Sequence, residues 1–445
     1  MTITRLAILL ALTAYATFEG NQLSSILLLN LNAAVAMSVL ARTAFGPNRQ
    51  IFGAAMATVA GIFVSFRSML GEFNLGFLPQ GYSIESESLG QLDLIAQLSV
   101  AFTLVTYASL NAVLPTATDR SAERKTEFLP TIPIELVRRI ALLLVTLRLA
   151  LQTVGVGVKG TVSSLPFGAN LFTLVDIFTP LSILALLVDG FASGSIRKTR
   201  LAISVLALDA VVISLGGTRG GVVDAGLLLA YAYFGTGGRL DARSLVKALG
   251  VVASVLVGLN FAIGRRLEVS GGQDFGLIDF LLFRLPGFHR FAPVVDSDLR
   301  LGWLDAVQPT AVKELVYQLP PESPTGIGTS WPGIGYLASG VTGMAIVGVL
   351  FGILAFAGDR SLLRVKTTSG LTLLIYLAGF ASWSYSGARP RVEVRELVVL
   401  LAVALIWNFR RSQKRPERPE ETPRRRNSRR SMRKQDTPTD VGAKR

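Results

Sequence analysis

Apolar residues are gathered into blocks along this chain, most of them roughly 15 to 23 residues long, which is what a helix needs to cross a hydrocarbon core. Twelve such spans can be drawn, at 2–18, 23–41, 51–70, 92–114, 137–156, 167–188, 201–215, 222–234, 246–263, 334–357, 371–386 and 397–409. Polar residues lie between the blocks and do not alternate within them, so barrel strands are not indicated. The predicted fold is an all-α polytopic membrane protein of about twelve transmembrane helices, with one large extracytoplasmic loop between spans nine and ten. The first span is short, and Ala14-Tyr15-Ala16 has the small residues of a signal-peptidase site. Retention of that span is expected, and cleavage would leave the later threading unchanged.

Composition agrees with this reading. Half of the 445 residues are apolar, mean hydropathy is +0.50 and only 17% are charged, against about a quarter in soluble domains. There is no cysteine, which removes disulfides, thiolate nucleophiles and thiolate metal sites from consideration. Of the net charge of +14, the tail from Arg410 to Arg445 supplies +9, carrying fourteen Lys/Arg and five Asp/Glu. That tail has no apolar period and reads as disordered. A topology anchor near anionic lipid suits it better than a specific partner site. The chain thus divides into spans one to nine (1–263), an outer loop (264–333), spans ten to twelve (334–409) and the basic tail (410–445).

Basic residues near span ends set orientation, because cytoplasmic connections are enriched in them. One set of connections holds Arg42 and Arg49; then Arg120, Arg124, Lys125, Arg138 and Arg139; then Arg197, Lys198 and Arg200. Arg239, Arg243 and Lys247 follow, then Arg360, Arg364 and Lys366, and finally the tail. These are every second connection. The intervening ones hold few before Arg219, Lys159 being the earlier case. Both termini are therefore expected in the cytoplasm, with Arg219 and the seventy-residue stretch 264–333 outside. A loop of that length implies a function.

Arg219 stands in the run Gly216-Gly217-Thr218-Arg219-Gly220-Gly221, between spans seven and eight. A permanent cation at a membrane turn calls for an anion or a carboxylate opposite it. Span eight would begin at the outer surface, so its free N–H groups and positive dipole end point the same way, and glycines let backbone donors approach closely. Cation and helix N-terminus together suit a phosphate. The plainer alternative is a salt bridge, most obviously with Asp224, or an interface anchor.

The outer loop supplies further candidates. Arg265, Arg266, Arg284, His289, Arg290 and Arg300 are interleaved with Glu268, Asp274, Asp279, Asp296 and Asp298. The segment from Ile278 to Pro286 reads as an amphipathic helix at headgroup depth. His289 is a candidate general base because its ordinary pKa lies near neutrality, although a lone histidine is as often a surface residue. With one histidine and no carboxylates at metal-ligand spacing, neither a metal nor another cofactor is expected. The stretch Ser323-Pro324-Thr325-Gly326-Ile327-Gly328 leads back to span ten, and Trp331 and Tyr336 suit either a sugar-binding rim or the interfacial aromatic belt. Arg148 in span five, Asp176 in span six and Asp209 in span seven fall at similar depth; a structural ion network is the favoured reading over a proton pathway. Arg389, Arg391 and Arg395, with Glu393 and Glu396, would extend the basic outer surface.

Arg219 in its Gly-Thr-Arg-Gly turn, the long outer loop, and the Ser-Pro-Thr-Gly-Ile-Gly re-entry followed by Gly335-Tyr336 and Gly340-x-x-Gly343 resemble the O-antigen polymerase (Wzy-type) family. Related O-antigen ligases share its architecture, and both are integral-membrane glycosyltransferases. The resemblance implies a donor glycan on undecaprenyl pyrophosphate at the outer leaflet, with a sugar hydroxyl of a second lipid-linked unit as acceptor. It implies outer-facing arginines that hold the pyrophosphate leaving group without metal, and a chain-length regulator as a partner beside membrane lipids. Carried onto this chain, Arg219 takes the first arginine position and Arg284 the loop arginine, with Arg290 next; Arg265, Arg266, Trp331 and Tyr336 would bind substrate. Fixed guanidinium groups suit a diphosphate whose departure builds negative charge. No nucleic-acid partner is implied. Where ligases carry a histidine before the closing span, this chain has Ser323-Pro324-Thr325-Gly326, which favours polymerase over ligase. The paired loop repeats of some polymerases are not found. From another class, twelve spans also describe a transporter or flippase, but that reading expects its long connection after span six on the cytoplasmic side.

Overall fold

The computed structural model describes residues 22–46, 50–63, 86–114, 133–156, 168–215, 220–239, 250, 257, 299–315, 330–386, 394 and 396–404. Among them the chain is helical and contains no strand. In order, the helices are α1 (Gln22–Phe45), α2 (Ile51–Met56, running on as a π-helix over Ala57–Phe63), α3 (Ser86–Val113), α4 (Ile134–Thr153), α5 (Gly168–Ala192), α6 (Ile196–Leu215), α7 (Gly220–Gly235), the short α8 (Trp303–Ala306) and α9 (Pro309–Leu315), α10 (Trp331–Arg364) and α11 (Thr368–Ser386). Four stretches are long and apolar enough to cross a membrane: Leu27–Phe45, Leu94–Val113, Leu171–Ala192 and Trp331–Arg364. Helices of this kind point to a membrane protein. The remaining helices are shorter, more polar, or both; α4 alone carries Arg138, Arg139 and Arg148.

Lipid supplies no hydrophobic force between helices, so close backbone packing has to hold them together. Small residues do this where α3 meets α10. A Cβ on Gly348 would lie 2.8 Å from the Phe102 Cβ and 3.1 Å from the Ser99 carbonyl; one on Gly352 would lie 2.6 Å from the Thr103 carbonyl. Position 99 meets 348 and 103 meets 352, so the two helices run parallel. Gly53 of α2 likewise fits against the Tyr107 ring, and Gly61 against Ala36 of α1. Hydroxyls in the seam are satisfied locally: Ser99 Oγ lies 3.0 Å from Tyr385 Oη, and Thr103 donates to the Ser99 carbonyl at 3.0 Å.

The start of α2 is capped from another helix. Its preceding residue, Gln50, makes no side-chain cap bond. The buried Asp359 of α10 accepts the N–H of Phe52 at 2.8 Å and of Gly53 at 3.0 Å, and the Tyr107 hydroxyl donates to it at 2.8 Å. A carboxylate at a helix N-terminus meets both orphan donors and the positive dipole end. One side chain therefore ties α2, α3 and α10 together near one end of the bundle.

That end also collects basic residues. The α5–α6 hairpin turns there, closed by Gly190 against Thr199 and by Lys198 paired with Asp189 at 3.0 Å. Gly235, the last residue of α7, packs on Ile375 and approaches Ile51, while Tyr231 meets Gly379 further along. Hence α7 and α11 are antiparallel. Arg42, Arg138, Arg139, Arg197, Lys198, Arg200, Arg239, Arg360, Arg364 and Lys366 all belong to this end. The opposite, far end holds the start of α10, the end of α6, the start of α7, the end of α4 and the start of α5, the last two joined by Leu151, Val156, Phe172 and Val175.

Asp359→Ala is expected to lower stability by about 3 kcal/mol, since it leaves buried N–H donors without an acceptor. Tyr107→Phe should cost about 1 kcal/mol, because the carboxylate keeps its two backbone donors. Thermal unfolding of the detergent-solubilised protein would check both, and equal losses would contradict the capping role.

Candidate functional site

Two features distinguish the far end. The first is a break in α10. Residues 331–364 are helical, but Ser339 (φ −150°, ψ 25°) and Gly340 (φ +62°, ψ −146°) leave helical geometry. The apolar block read as a continuous span ten is thus two helices, 331–338 and 341–364. The positive φ at Gly340 suits a residue without Cβ. The break folds the first segment back so that Gly335 packs directly on the Gly343 carbonyl, at 2.5 Å from where a Cβ would sit. These are the glycines that carried part of the family resemblance, and here they have a local steric reason.

The start of this segment is well formed. Ser330 accepts the Gly333 N–H at 3.3 Å, and Pro332 occupies the first turn, where a missing N–H costs nothing. Arg300 lies over it. Its guanidinium carbon is 4.9 Å from the Tyr336 ring centroid, its Nε is 3.7 Å from a Cβ position on Gly340, and the neighbouring Leu301 N–H donates to the Leu337 carbonyl at 3.0 Å. A cation over an aromatic face gains electrostatically from the ring. Arg300 itself is exposed.

The second feature is an ion network within the helices. Arg148 of α4, 1% exposed, donates through Nη1 to Asp209 of α6 at 2.5 Å and through Nη2 to Asp176 of α5 at 2.7 Å. This matches the expectation of a structural ion network. Asp209 is buried, whereas the Asp176 side chain is 58% exposed. Pro180 withholds the N–H that would bond to the Asp176 carbonyl, one turn back, and Thr179 donates to the Val175 carbonyl at 2.6 Å. Asp224 of α7 and Tyr376 of α11 lie within electrostatic reach of Asp176, and Glu396 within reach of Tyr376. Arg148 is five residues from the end of α4, Asp209 six from the end of α6, Asp176 eight into α5 and Asp224 four into α7. At ~1.5 Å per residue these groups lie roughly 6 to 12 Å inside the far end.

Of the residues chosen from sequence, Arg219, Arg284, His289, Arg290, Arg265 and Arg266 lie outside the described residues, as do Ser323-Pro324-Thr325-Gly326 and Arg389, Arg391 and Arg395. Trp331 is half-buried against the core at the start of α10. Tyr336 is buried and turns a ring face to Arg300, so the structure joins one loop arginine to one rim aromatic. Tyr376 was not singled out by sequence, being one tyrosine in an apolar block. Among the described residues no group of three His, Cys, Asp or Glu is placed to hold a metal ion. No family model matches the chain, and no curated protein or solved structure compared with it is significantly similar.

Arg148→Ala is expected to destabilise the protein by about 3–5 kcal/mol, because it strands the buried Asp209 charge. Adding Asp209→Ala should recover part of that loss. Unfolding midpoints of the single and double variants test this; a double variant worse than the single would overturn the pairing.

Proposed function

We propose that this chain polymerises undecaprenyl-pyrophosphate-linked oligosaccharide repeat units into surface polysaccharide, as O-antigen, capsule or exopolysaccharide, at the outer leaflet of the bacterial cytoplasmic membrane. Both termini would lie in the cytoplasm, and the chain would cross about twelve times. The observation that carries the reading is a coincidence of place. The end of α6 and the start of α7, which flank Arg219 in sequence, lie at the same end as the broken start of α10 with Arg300 and Tyr336. That end is opposite the one rich in basic residues, as an outer face would be.

In this reading the acceptor hydroxyl attacks the anomeric carbon of the donor with inversion. The bond from that carbon to the diphosphate oxygen breaks, and the leaving group departs with the electron pair. Arg219 and Arg284 stabilise the charge that develops, which is what fixed cations do best in a site that excludes water. His289 or a loop carboxylate takes the hydroxyl proton. Arg290, Arg265, Arg266, Trp331 and Tyr336 hold the substrates.

One observation favours a second reading. A discontinuous helix at the same end of the bundle as intramembrane carboxylates is also an arrangement by which coupled transporters bind substrate and ion. A ligase would share the polymerase chemistry with a different acceptor.

Arg219→Ala separates these. With membrane abundance matched to wild type, a polymerase variant should leave single repeat units at the surface and lose long chains. A ligase variant should strand long lipid-linked polymer, and a flippase variant should strand single units inside. Unchanged chain lengths would sink the polymerase reading.

A further inference from the structure

We propose that the basic end of α10 binds one anionic phospholipid, whose phosphate sits on Arg360 and Arg364 and whose acyl chains lie along the exposed apolar face of the same helix. The site belongs to the Asp359 end, and it goes beyond the glycan chemistry proposed for the far end.

The position of the Arg360 guanidinium carries the argument. Its central carbon lies 4.9 Å from the centroid of the Phe356 ring, one helical turn back. Long basic side chains near a membrane boundary ordinarily extend the other way, toward water. Here the tilt of side chains toward a helix N-terminus carries the charge toward the hydrocarbon. Nε and Nη2 are shielded from solvent, and neither has a hydrogen-bond partner among the described residues. The ring attracts the cation but leaves those two donors open. A shielded guanidinium with open donors calls for an anion.

Its depth is that of a headgroup. Arg360 lies nineteen residues after Val341, where the long part of α10 begins, which is about 29 Å along an α-helix. A hydrocarbon core is about 30 Å thick, so Arg360 stands at its boundary. Arg364, one turn further on, and Lys366 are both exposed. Like charges four residues apart on a helix repel, and a phosphate held between Arg360 and Arg364 turns that repulsion into two attractions. The helix dipole accounts for Arg364, in the last turn, but not for Arg360, whose guanidinium lies back over Phe356 and away from the last carbonyls.

The face that leads up to Arg360 makes the anion a lipid. Ile346, Leu350, Ile353 and Leu354 are each more than two-fifths exposed. Steps of three and four residues put them on one stripe, which continues through the exposed Ala357 to Arg360 and Arg364. Gly348 and Gly352 turn the opposite side of the helix to α3. A free phosphate would meet the arginines alone, whereas a phospholipid covers stripe and cations together. A zwitterionic headgroup would bring its ammonium against Arg364 and Lys366, so the preferred lipid is anionic. The rival occupant is a carboxylate of the chain itself. Connections 115–132 and 240–249, which follow α3 and α7 at this end, lie outside the described residues and carry Asp119, Glu123, Glu127 and Asp241.

Native mass spectrometry of the full-length protein in detergent counts bound lipid, and thermal unfolding reads its effect. Phosphatidylglycerol should bind and raise the unfolding midpoint more than phosphatidylcholine with the same chains. Glycerophosphoglycerol, the same headgroup without chains, should do neither. Arg360→Gln should weaken phosphatidylglycerol binding about tenfold, as loss of a charged hydrogen bond does, and unfold like wild type when no lipid is added. Arg425→Gln removes the same charge from the tail and should bind as wild type does. Equal weakening by Arg425→Gln would reduce the effect to general charge attraction and overturn the proposal, as would a headgroup that works without its chains. An Arg360→Gln protein that is destabilised without lipid, yet binds lipid as wild type does, would assign Arg360 to a carboxylate and also overturn it. None of these readouts involves glycan chain length, so this proposal and the polymerase reading stand or fall separately.

Discussion

Lipid offers no hydrogen-bond partner, and that single constraint decides where every charged group in the bundle can sit. A helix beginning inside such a bundle must find acceptors for its first N–H groups from other helices. The start of α2 finds them in Asp359, which also receives the Tyr107 hydroxyl. A guanidinium buried between helices must find anions, and Arg148 finds two. Each answer ties helices together: Asp359 joins α10 to α2 and α3, far away in sequence, and Arg148 joins the consecutive α4, α5 and α6. The glycine seam of α3 with α10 brings those two backbones close, and Tyr107 of α3 meets Asp359 of α10 along it.

The same constraint separates the two ends by chemistry. At the Asp359 end, basic residues gather near the helix ends, where long side chains can reach water and headgroups, and Arg138 and Lys198 also pair with Glu135 and Asp189. At the far end, charges enter the helices and have to be matched one against another. There Arg148 meets Asp209 and Asp176, and the three charges tie α4, α5 and α6 together.

How far the sequence shows this depends on the kind of signal. Helices α1, α3, α5 and the long part of α10 were legible because a block of apolar residues has few other uses. The Arg148–Asp176–Asp209 network was legible too: a charge inside such a block must be met, and counting residues from span ends placed all three at one depth. The break in α10 was not. Ser339 and Gly340 are small residues in an apolar run, and hydropathy treats them as part of the helix they interrupt. Their meaning lies in a backbone angle and in the approach of Gly335 to Gly343, neither of which leaves a mark in hydrophobicity. Asp359 stayed hidden for a related reason. Next to Arg360, and near Arg364 and Lys366, it reads as part of a polar boundary, although it points inward to another helix's N-terminus.

The candidate site divides along the same line. Its aromatic rim at Trp331 and Tyr336 was chosen by residue type, and residue type cannot tell a ring that waits for a sugar from one already covered. Arg300 over Tyr336 shows that this ring has a cation on one face. A sugar that stacks there would have to share the ring with Arg300 or displace it, whereas an anionic group could approach Arg300 without disturbing the ring beneath. The geometry around the break thus favours recognition of negative charge over recognition of a sugar face. On the proposed reading, Tyr336 would then serve the substrate through Arg300, whose guanidinium its ring supports.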